Sequence, residues 1–240
     1  MNKEEFVLEL KKIGIDVTDS QLMQLDKYYR LLTLWNEKIN LTRITEENDI
    51  YLKHFYDSLT LYRVIDLNSG LSLCDIGTGA GFPGLVLKII FPTLRVTLVD
   101  ALLKRVNFLK LVIDELGLKD IEVYHDRAES FARVNREKFD IVTSRAVANL
   151  RVLSELSIPM VKVNGYFVAM KGLCDDEIDE ASDILKRLGS SVEVVDSFTL
   201  PVENSQRSLI KVRKVLRLNT NTLEILIRLR KLSSAVRLVL

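Results

Sequence analysis

Apolar side chains up to about residue 66 recur every three or four positions, with charged side chains between them. This spacing is typical of helices that bury one face. A first stripe consists of Phe6, Leu10 and Ile13, and a second of Leu22, Leu25, Tyr29, Leu32 and Trp35. Residues 49–65 are a third helical candidate, and no proline interrupts this part of the chain. We therefore predict a helical extension over residues 1–66.

Short apolar runs alternate with amphipathic segments after Gly70, which is typical of strands separated by helices. The predicted strands are residues 71–76, 96–99, 121–124, 139–143 and 166–170, and the predicted helices include 85–90, 102–116 and 147–160. This alternation predicts an α/β domain over residues 67–215, with a mostly parallel sheet covered on both faces. Two last strands, 192–198 and 207–212, are joined by a loop too short for a helix, so we expect an antiparallel pair at the sheet edge.

The stretch most informative about chemistry is the glycine loop after the first strand, where residues 74–84 read CDIGTGAGFPG. Glycines let a chain turn tightly and approach a ligand, and Pro83 suits the first turn of a helix. Gly79, Gly81 and Gly84 match the dinucleotide fingerprint G-x-G-x-x-G, and Asp100 follows about twenty residues later, where an acid binds ribose hydroxyls. A nicotinamide-dependent (NAD) oxidoreductase is therefore one interpretation.

A second interpretation is a methyltransferase that uses S-adenosylmethionine. Asp75 precedes Gly77, Gly79 and Gly81 in the pattern D-x-G-x-G-x-G, which suits a loop that admits the methionine part of that cofactor, with an acid near its amine. Asp100 serves either cofactor. The antiparallel pair at the end of the sheet favours the methyltransferase, because a dehydrogenase would continue with a second parallel half.

Further stretches occur in order across residues 1–212 and are more distinctive than the glycine loop. They read WNEKINLT from Trp35, HFYDS from His54, LVD from Leu98 with Lys104-Arg105, RAE from Arg127, and FDIVTSRA from Phe139. With them the chain resembles the small-subunit ribosomal RNA guanine-N7 methyltransferase family, also called glucose-inhibited division protein B. The resemblance implies a Rossmann-like class I S-adenosylmethionine-dependent methyltransferase sheet. It also implies methyl transfer from S-adenosyl-L-methionine to N7 of one guanine in the decoding region of 16S rRNA, in the 30S ribosomal subunit.

Cofactor-binding residues are expected at the carboxyl ends of the first four strands. The expected set is Asp75, Gly77, Gly79, Gly81, Phe82, Asp100, Ala128, Glu129 and Arg145. Phe82 is an apolar wall in this interpretation, or equally a core anchor for the helix that follows it. Ala128 leaves room for an adenine ring, and Asp100 and Glu129 have helix capping as the alternative role.

Arg145 is the expected catalytic residue, in a positioning role. It follows the fourth strand, where amine-methylating enzymes carry an Asn- or Asp-Pro-Pro-aromatic motif, and this chain has Ser144-Arg145-Ala146 instead. Guanine N7 already presents a lone pair, so its methylation needs no general base, and positioning and desolvation carry the reaction. Arg145 would contact the cofactor carboxylate, guanine O6 or a phosphate, with a surface salt bridge as the alternative.

Four residues are candidates for contact with RNA: Asn40, Arg43, His54 and Lys171. Asn40 and Arg43 are equally suited to a helix end, and Lys171 to plain solvation. His54 is spaced to share a helix face with Asp57 and Ser58, which predicts either a local hydrogen-bond network or the wall of an RNA-facing cleft.

Composition excludes several other classes. The 240 residues are 48% hydrophobic and 28% charged, which suits a folded core. No secretory leader and no apolar window of about twenty residues is visible, so we expect a cytoplasmic protein with no membrane partner. Cys74 and Cys174 are too few for a disulfide framework or a structural zinc site, and neither follows a proline as in pyrimidine-C5 methyltransferases. His54 and His125 lack a pattern of ligand neighbours, so no metal is expected.

The net charge of +1 hides an asymmetry. Residues 211–240 carry eight Lys or Arg against Glu224 alone, while the rest has an excess of six acidic residues. A basic end suggests a polyanionic partner. The segment 216–240 lacks the Pro and Gly with which the resembling family usually ends, so this end is weak support for RNA. A non-catalytic RNA-binding or ribosome-assembly module is a third interpretation, and a monomer is expected.

Overall fold

The computed structural model describes residues 1–145 and 148–217, and its first part is helical. The segments are α1 (Lys3–Lys12), α2 (Asp19–Ile39), α3 (Glu47–Ile50), a π-helical turn (Tyr51–Tyr56), α4 (Asp57–Leu59) and a 3-10 turn (Thr60–Arg63). Capping boxes begin α1 and α2, and α2 ends at Asn40, whose φ of 49° is left-handed. The continuous helix expected over residues 49–65 is thus a series of short segments.

Within the described residues, seven strands form one sheet in the order β3-β2-β1-β4-β5-β7-β6. They are β1 (Ser72–Ile76), β2 (Arg95–Asp100), β3 (Ile121–His125), β4 (Phe139–Arg145), β5 (Val161–Lys171), β6 (Ser190–Thr199) and β7 (Gln206–Lys214). The first five are parallel, and β7 runs antiparallel between β5 and β6. The predicted parallel sheet with an antiparallel C-terminal hairpin is therefore confirmed.

Helices cover both faces of the sheet. They are α5 (Gly84–Ile90), α6 (Leu103–Leu116), α7 (Ala128–Val134), α8 (Leu150–Ser157) with a 3-10 turn (Ile158–Met160), and α9 (Asp175–Arg187). Successive strand residues such as Leu73 and Cys74 belong to two different apolar clusters, because side chains alternate between the faces of a strand. One cluster includes α5 and α6, and the other includes α7, α8 and α9.

The helical extension shares the first of these cores. Phe6, Leu10, Leu25 and Leu32 are fully buried in the cluster that also contains Leu73 and Leu98 of the sheet. The fully buried tyrosine of α2 is Tyr28, which contacts the loop after β1 at Ala80, whereas the expected Tyr29 is only partly buried. The division at residue 66 falls in the loop before β1 and stays a prediction.

Parts of two predicted elements lie outside the described residues. These are residues 146 and 147, at the start of the predicted helix 147–160, and residues 218–240, nearly all of the predicted tail. Among the residues that the structure does describe, no helix has both the length and the apolar composition to cross a bilayer.

Candidate active site

The glycine loop after β1 borders a cavity of about 430 Å³, here the first cavity, lined among others by Gly77, Gly79, Phe82, Asp100 and Arg145. Gly77 and Gly79 have left-handed φ values of 67° and 63°. A Cβ added at Gly79 would meet no heavy atom within 4 Å. The backbone of this loop is therefore open to close approach by a ligand.

Asp75 lies beneath the loop. It is fully buried, and its Oδ2 accepts hydrogen bonds from the Thr78 hydroxyl at 2.7 Å and the Gly84 amide at 2.8 Å. Its Oδ1 has no hydrogen-bond partner among the described residues, and burial raises the pKa of this carboxyl to about 6. The structure thus gives Asp75 the role of holding the loop in shape, whereas the motif placed it beside a cofactor amine.

Gly81 faces the core and not the cavity. A Cβ at this position would lie 2.6 Å from the Tyr28 hydroxyl oxygen and 2.9 Å from the Leu85 Cβ. Tyr28 is fully buried, and its hydroxyl donates to the Ala80 carbonyl. Glycine is needed here because α2 packs directly on the loop. This packing role differs from the cofactor contact expected for Gly81 from the sequence.

Gly81→Ala is expected to lower the free energy of unfolding by about 2–4 kcal/mol, because the new Cβ would clash with Tyr28 and strain a backbone φ of 107°. Gly79→Ala is the matched control: its Cβ has open space, so a cost of only about 1 kcal/mol is expected, together with weaker cofactor binding. Urea unfolding measures both. Equal destabilisation of the two variants would contradict the placement of Gly81.

Asp100, the last residue of β2, presents a carboxylate that is only 3% exposed. Its Oδ2 accepts from the Gly79 amide and its Oδ1 from the Leu102 amide, both at 2.9 Å. Oδ2 also accepts a longer hydrogen bond from Arg105 Nη1 at 3.4 Å, whereas Oδ1 keeps a second lone pair that can accept from a ligand hydroxyl. The Leu102 amide precedes α6, whose N-cap has no side-chain hydrogen bond, so Asp100 lies at the cavity without the helix-capping contact expected as its alternative.

A second cavity of about 370 Å³ adjoins the first and shares Gly77, Asp100 and Ala101 with it. Ala128 and Glu129, the first residues of α7, lie on its wall. The two cavities together form an elongated cleft along the carboxyl ends of β1, β2 and β3, where ligands of open α/β sheets bind. Asp100 lies where the two meet.

Arg145, the last residue of β4, joins the sheet to the helical extension. Its Nη1 donates to the Lys53 carbonyl at 2.9 Å and to Asp57 Oδ2 at 3.1 Å, and its Nη2 donates to His54 Nδ1 at 3.1 Å. The guanidinium also lies over the Phe82 ring, 5.2 Å from the centroid. The salt bridge expected as the alternative is present, with Asp57, but it is largely buried, since the Arg145 side chain is 14% exposed.

His54 lies in the π-helical turn and stacks on Phe82, with ring centroids 4.3 Å apart. Because an arginine N–H always donates, Nδ1 of His54 accepts, and Nε2–H donates to Thr42 Oγ1 at 2.8 Å. Burial and the charge of Arg145 lower the pKa of the imidazole to about 3. His54 is therefore neutral at physiological pH, and it links the loop after α2 to Arg145.

The free energy of unfolding is expected to fall as pH falls from 6.5 to about 3, in part because of His54. The unfolded chain takes up a proton on this imidazole near pH 6.5 and the folded chain only near pH 3, so acid favours the unfolded state in this window. His54→Gln should flatten this part of the profile, measured by urea unfolding at each pH. His125→Gln, on the exposed end of β3, is the control. An unchanged slope in His54→Gln would contradict a buried neutral imidazole.

A third cavity of about 370 Å³ lies at the carboxyl ends of β4 and β5, and the Arg145 and His54 side chains line both it and the first cavity. Asp57, Lys171 and Arg207 also line the third cavity. Asp57 Oδ1 accepts from Arg207 Nε at 3.0 Å, while its Oδ2 accepts from Arg145. The first and third cavities thus meet at a wall made by Arg145 and His54.

The family of the chain follows from its match to a protein-family model. The family model for rRNA small subunit methyltransferase G (GidB) matches residues 21–221, which is most of the chain. The chain belongs to this family. It is therefore an S-adenosylmethionine-dependent methyltransferase of small-subunit ribosomal RNA, which confirms the enzyme class and the cofactor expected from the sequence. The oxidoreductase and the non-catalytic module are set aside.

Relatives in the family align over nearly their whole length. The chain is 52% identical over 217 residues to ribosomal RNA small subunit methyltransferase G of Bacillus velezensis, which covers 89% of this chain and 91% of the relative. It is 49% identical over 220 residues to the protein of the same name from Lactobacillus acidophilus, which covers 90% and 92%.

Solved structures of low identity share the fold. TrmN from Thermus thermophilus has a TM-score of 0.53 at 17% identity, covering 66% of this chain and 48% of that one. M. jannaschii TYW2 in complex with AdoMet has a TM-score of 0.54 at 10% identity, covering 66% of this chain and 75% of that one. The predicted class I methyltransferase fold is thus confirmed.

The first and second cavities fit S-adenosylmethionine. Arg105 lines the first cavity, and its buried Nε has no hydrogen-bond partner among the described residues. An unpaired buried donor is costly, and an oxygen-bearing ligand would satisfy it. The open face of Gly79 and the free lone pair of Asp100 Oδ1 border the same space.

The other predicted RNA-contact residues lie around these cavities. Asn40 is exposed and ends α2, as its alternative role required. Arg43 is exposed, between Thr42 of the first cavity and Ile44 of the third. Lys171 is not merely solvated: its Nζ donates to the Ala148 carbonyl at 2.8 Å and pairs with Glu177 at 2.9 Å. RNA contact by these residues stays a prediction.

Three residues that shape the site are not among those predicted from the sequence. Tyr28 and Arg207 occupy ordinary positions of a helix and a strand, so nothing local marks them. Arg105 belongs to the Lys104-Arg105 pair of the family-like stretch, which was a usable signal. Tyr28 and Arg207 act through partners distant in sequence, Ala80 and Asp57, whereas Arg105 pairs with nearby Asp100 at 3.4 Å on the first cavity.

Proposed function

We propose that this protein transfers a methyl group from S-adenosylmethionine to N7 of a single guanine in the decoding region of 16S rRNA in the 30S subunit. The observation that most directly supports this proposal is the position of Arg145. This hydrogen-bond donor lies at the end of β4, on the wall between the first and third cavities. An exocyclic amine would need an acceptor there. The guanine edge that carries N7 presents two acceptors, N7 and O6, and so matches a donor.

Arg145 has donors to spare for guanine O6. A guanidinium carries five N–H groups, and the bonds to Lys53, Asp57 and His54 engage three of them among the described residues. Ser144, its neighbour, is fully buried and donates to the Ile76 carbonyl, so its hydroxyl is already engaged. Arg145 is thus the group at this strand end that can orient the base.

The charge around Arg145 suits a base that becomes cationic. Methylation of N7 places positive charge on guanine, and an uncompensated guanidinium would oppose it. Asp57 lies between the guanidinium groups of Arg145 and Arg207, at 3.1 and 3.0 Å, and offsets part of their charge. His54 is neutral and adds none.

We assign the cofactor to the first and second cavities. Gly77 and Gly79 would hold the methionine part, Asp100 the ribose, and Ala128 and Glu129 the adenine, with Phe82 as an apolar wall. When bound, S-adenosylmethionine supplies a methyl group on a positively charged sulfur, which needs no general acid or base for its transfer. The chain orients the acceptor nitrogen and excludes water, which is where the rate acceleration arises.

A tritiated-methyl transfer assay tests this function. We expect label on 30S subunits that lack the modification, with the labelled nucleotide identified as N7-methylguanine by borohydride and aniline cleavage of the RNA. Free 16S rRNA and 50S subunits serve as comparison substrates. Label on an exocyclic amine or a ribose, or no label on either 16S substrate, would refute the proposal.

Cofactor choice is tested separately by calorimetric titration. S-adenosylhomocysteine is expected to bind and NAD is not. We place the protein in the cytoplasm, because its substrate is the ribosome, and we expect it to be a monomer. Elution from a calibrated sizing column checks the oligomeric state.

A further inference from the structure

The third cavity contains one carboxylate among its described lining residues, that of Asp57. Its side chain is 9% exposed and is held between Arg145 and Arg207. The two lysines on the same wall already have acidic partners: Lys53 pairs with Asp49 and Glu203, and Lys171 with Glu177. Asp57 is therefore the acceptor that faces an incoming ligand.

Asp57 retains capacity for such a ligand. Each of its oxygens accepts one arginine N–H, at 3.0 and 3.1 Å, and each has a second lone pair. The two arginines fix the plane of the carboxylate. The cavity of about 370 Å³ is within the size range of small-molecule sites.

The order of polar groups across this wall matches the order of atoms around guanine from its N7 side to its Watson–Crick edge. A path from the first cavity into the third passes the open cofactor cleft first, then Arg145 and then Asp57. Around guanine come N7, then the acceptor O6, then the donors N1–H and N2–H. Adenine has a donor at position 6 and an acceptor at N1, so both protein groups would face a group of their own kind.

We propose that Asp57 is the base-selecting residue of this enzyme, accepting hydrogen bonds from N1–H and N2–H of the target guanine in the third cavity. This inference rests on the proposed function, with Arg145 at O6. The base enters unpaired, since its Watson–Crick edge is engaged by the protein. Arg207 is a positioning residue that holds the Asp57 carboxylate.

The test uses 30S subunits reconstituted with guanine, inosine or adenine at the target position. Inosine lacks only the N2 amine. Wild-type protein is expected to methylate inosine with a kcat/KM about tenfold lower than guanine, and adenine not measurably. Asp57→Asn is expected to lower kcat/KM for guanine at least about tenfold and to discriminate against inosine less than about threefold. Its affinity for S-adenosylhomocysteine should stay that of the wild type.

Asp16→Asn, an exposed loop residue, is the matched control and should keep the wild-type preference. Equal rates of the wild-type protein on guanine and inosine would overturn this inference alone, and so would full discrimination by Asp57→Asn. Melting temperatures show whether Asp57→Asn is folded; if it is not, the wild-type comparison decides. Absence of N7-methylguanine on the guanine substrate would instead overturn the proposed function, and this inference with it.

Discussion

Asp100→Ala is expected to weaken the binding of S-adenosylhomocysteine about 100-fold, because it removes the charged acceptor that we assign to the ribose. The same carboxylate holds the amides of Gly79 and Leu102 at 2.9 Å, so its loss also frees the glycine loop that borders the cofactor cleft. Both effects act on binding and precede any chemistry. Calorimetric titration measures the change directly.

Asp114→Ala is a matched control for this variant, since Asp114 is an exposed acid of α6 away from the cleft. It should bind S-adenosylhomocysteine like the wild type. Asp100→Asn should fall between the two, because its amide retains one acceptor but turns a donor toward Gly79 or Leu102. A dissociation constant of Asp100→Ala within threefold of the wild type would contradict the assignment of the ribose to Asp100.

Arg145→Ala is expected to lower kcat/KM on 30S subunits about 100-fold or more, because the base loses the group that orients it in line with the methyl donor. Affinity for S-adenosylhomocysteine should change much less, since Arg145 is assigned to guanine O6. Arg145→Lys should not restore the rate, because an ammonium cannot reproduce the fork that reaches Lys53, Asp57 and His54 together.

Arg95→Ala, an exposed arginine at the opposite end of the sheet, is the control and should leave methylation unchanged. Two outcomes bear on the role of Arg145. A loss of S-adenosylhomocysteine affinity as large as the loss in kcat/KM would move Arg145 from the base to the cofactor carboxylate. No change in either quantity would remove Arg145 from the site.

Several features of this site were predictable because they are encoded locally. The loop glycines follow a buried strand directly, so their spacing indicates a close backbone turn. Asp100 ends the next strand, and parallel strands bring their carboxyl ends to one edge of the sheet. Neither feature requires knowledge of distant contacts. The sequence also predicts Arg145 at this edge, where it is found.

Roles that depend on packing were not predictable from spacing. Asp75 and Gly81 belong to the same motif as Gly77 and Gly79, yet the structure turns the first two inward and leaves the second two on the cavity. What decides between them is Tyr28, which is fully buried against Ala80 and leaves no room for a Cβ at residue 81. A motif gives positions along the chain, and only the packed neighbours show which side of the loop is free.

The parallel sheet, its antiparallel edge, the glycine loop and the family could be predicted without the structure, because alternating strands and helices and short distinctive stretches are local patterns. The way in which Arg145, Asp57 and Arg207 meet depends on the folded chain. These residues come from β4, the helical extension and β7, and Asp57 lies 150 positions from Arg207. Their contact depends on a core shared by the extension and the sheet, and burial around that core also makes His54 neutral. Burial and long-range pairing are properties of the folded chain, so the chemistry of the third cavity emerges only there.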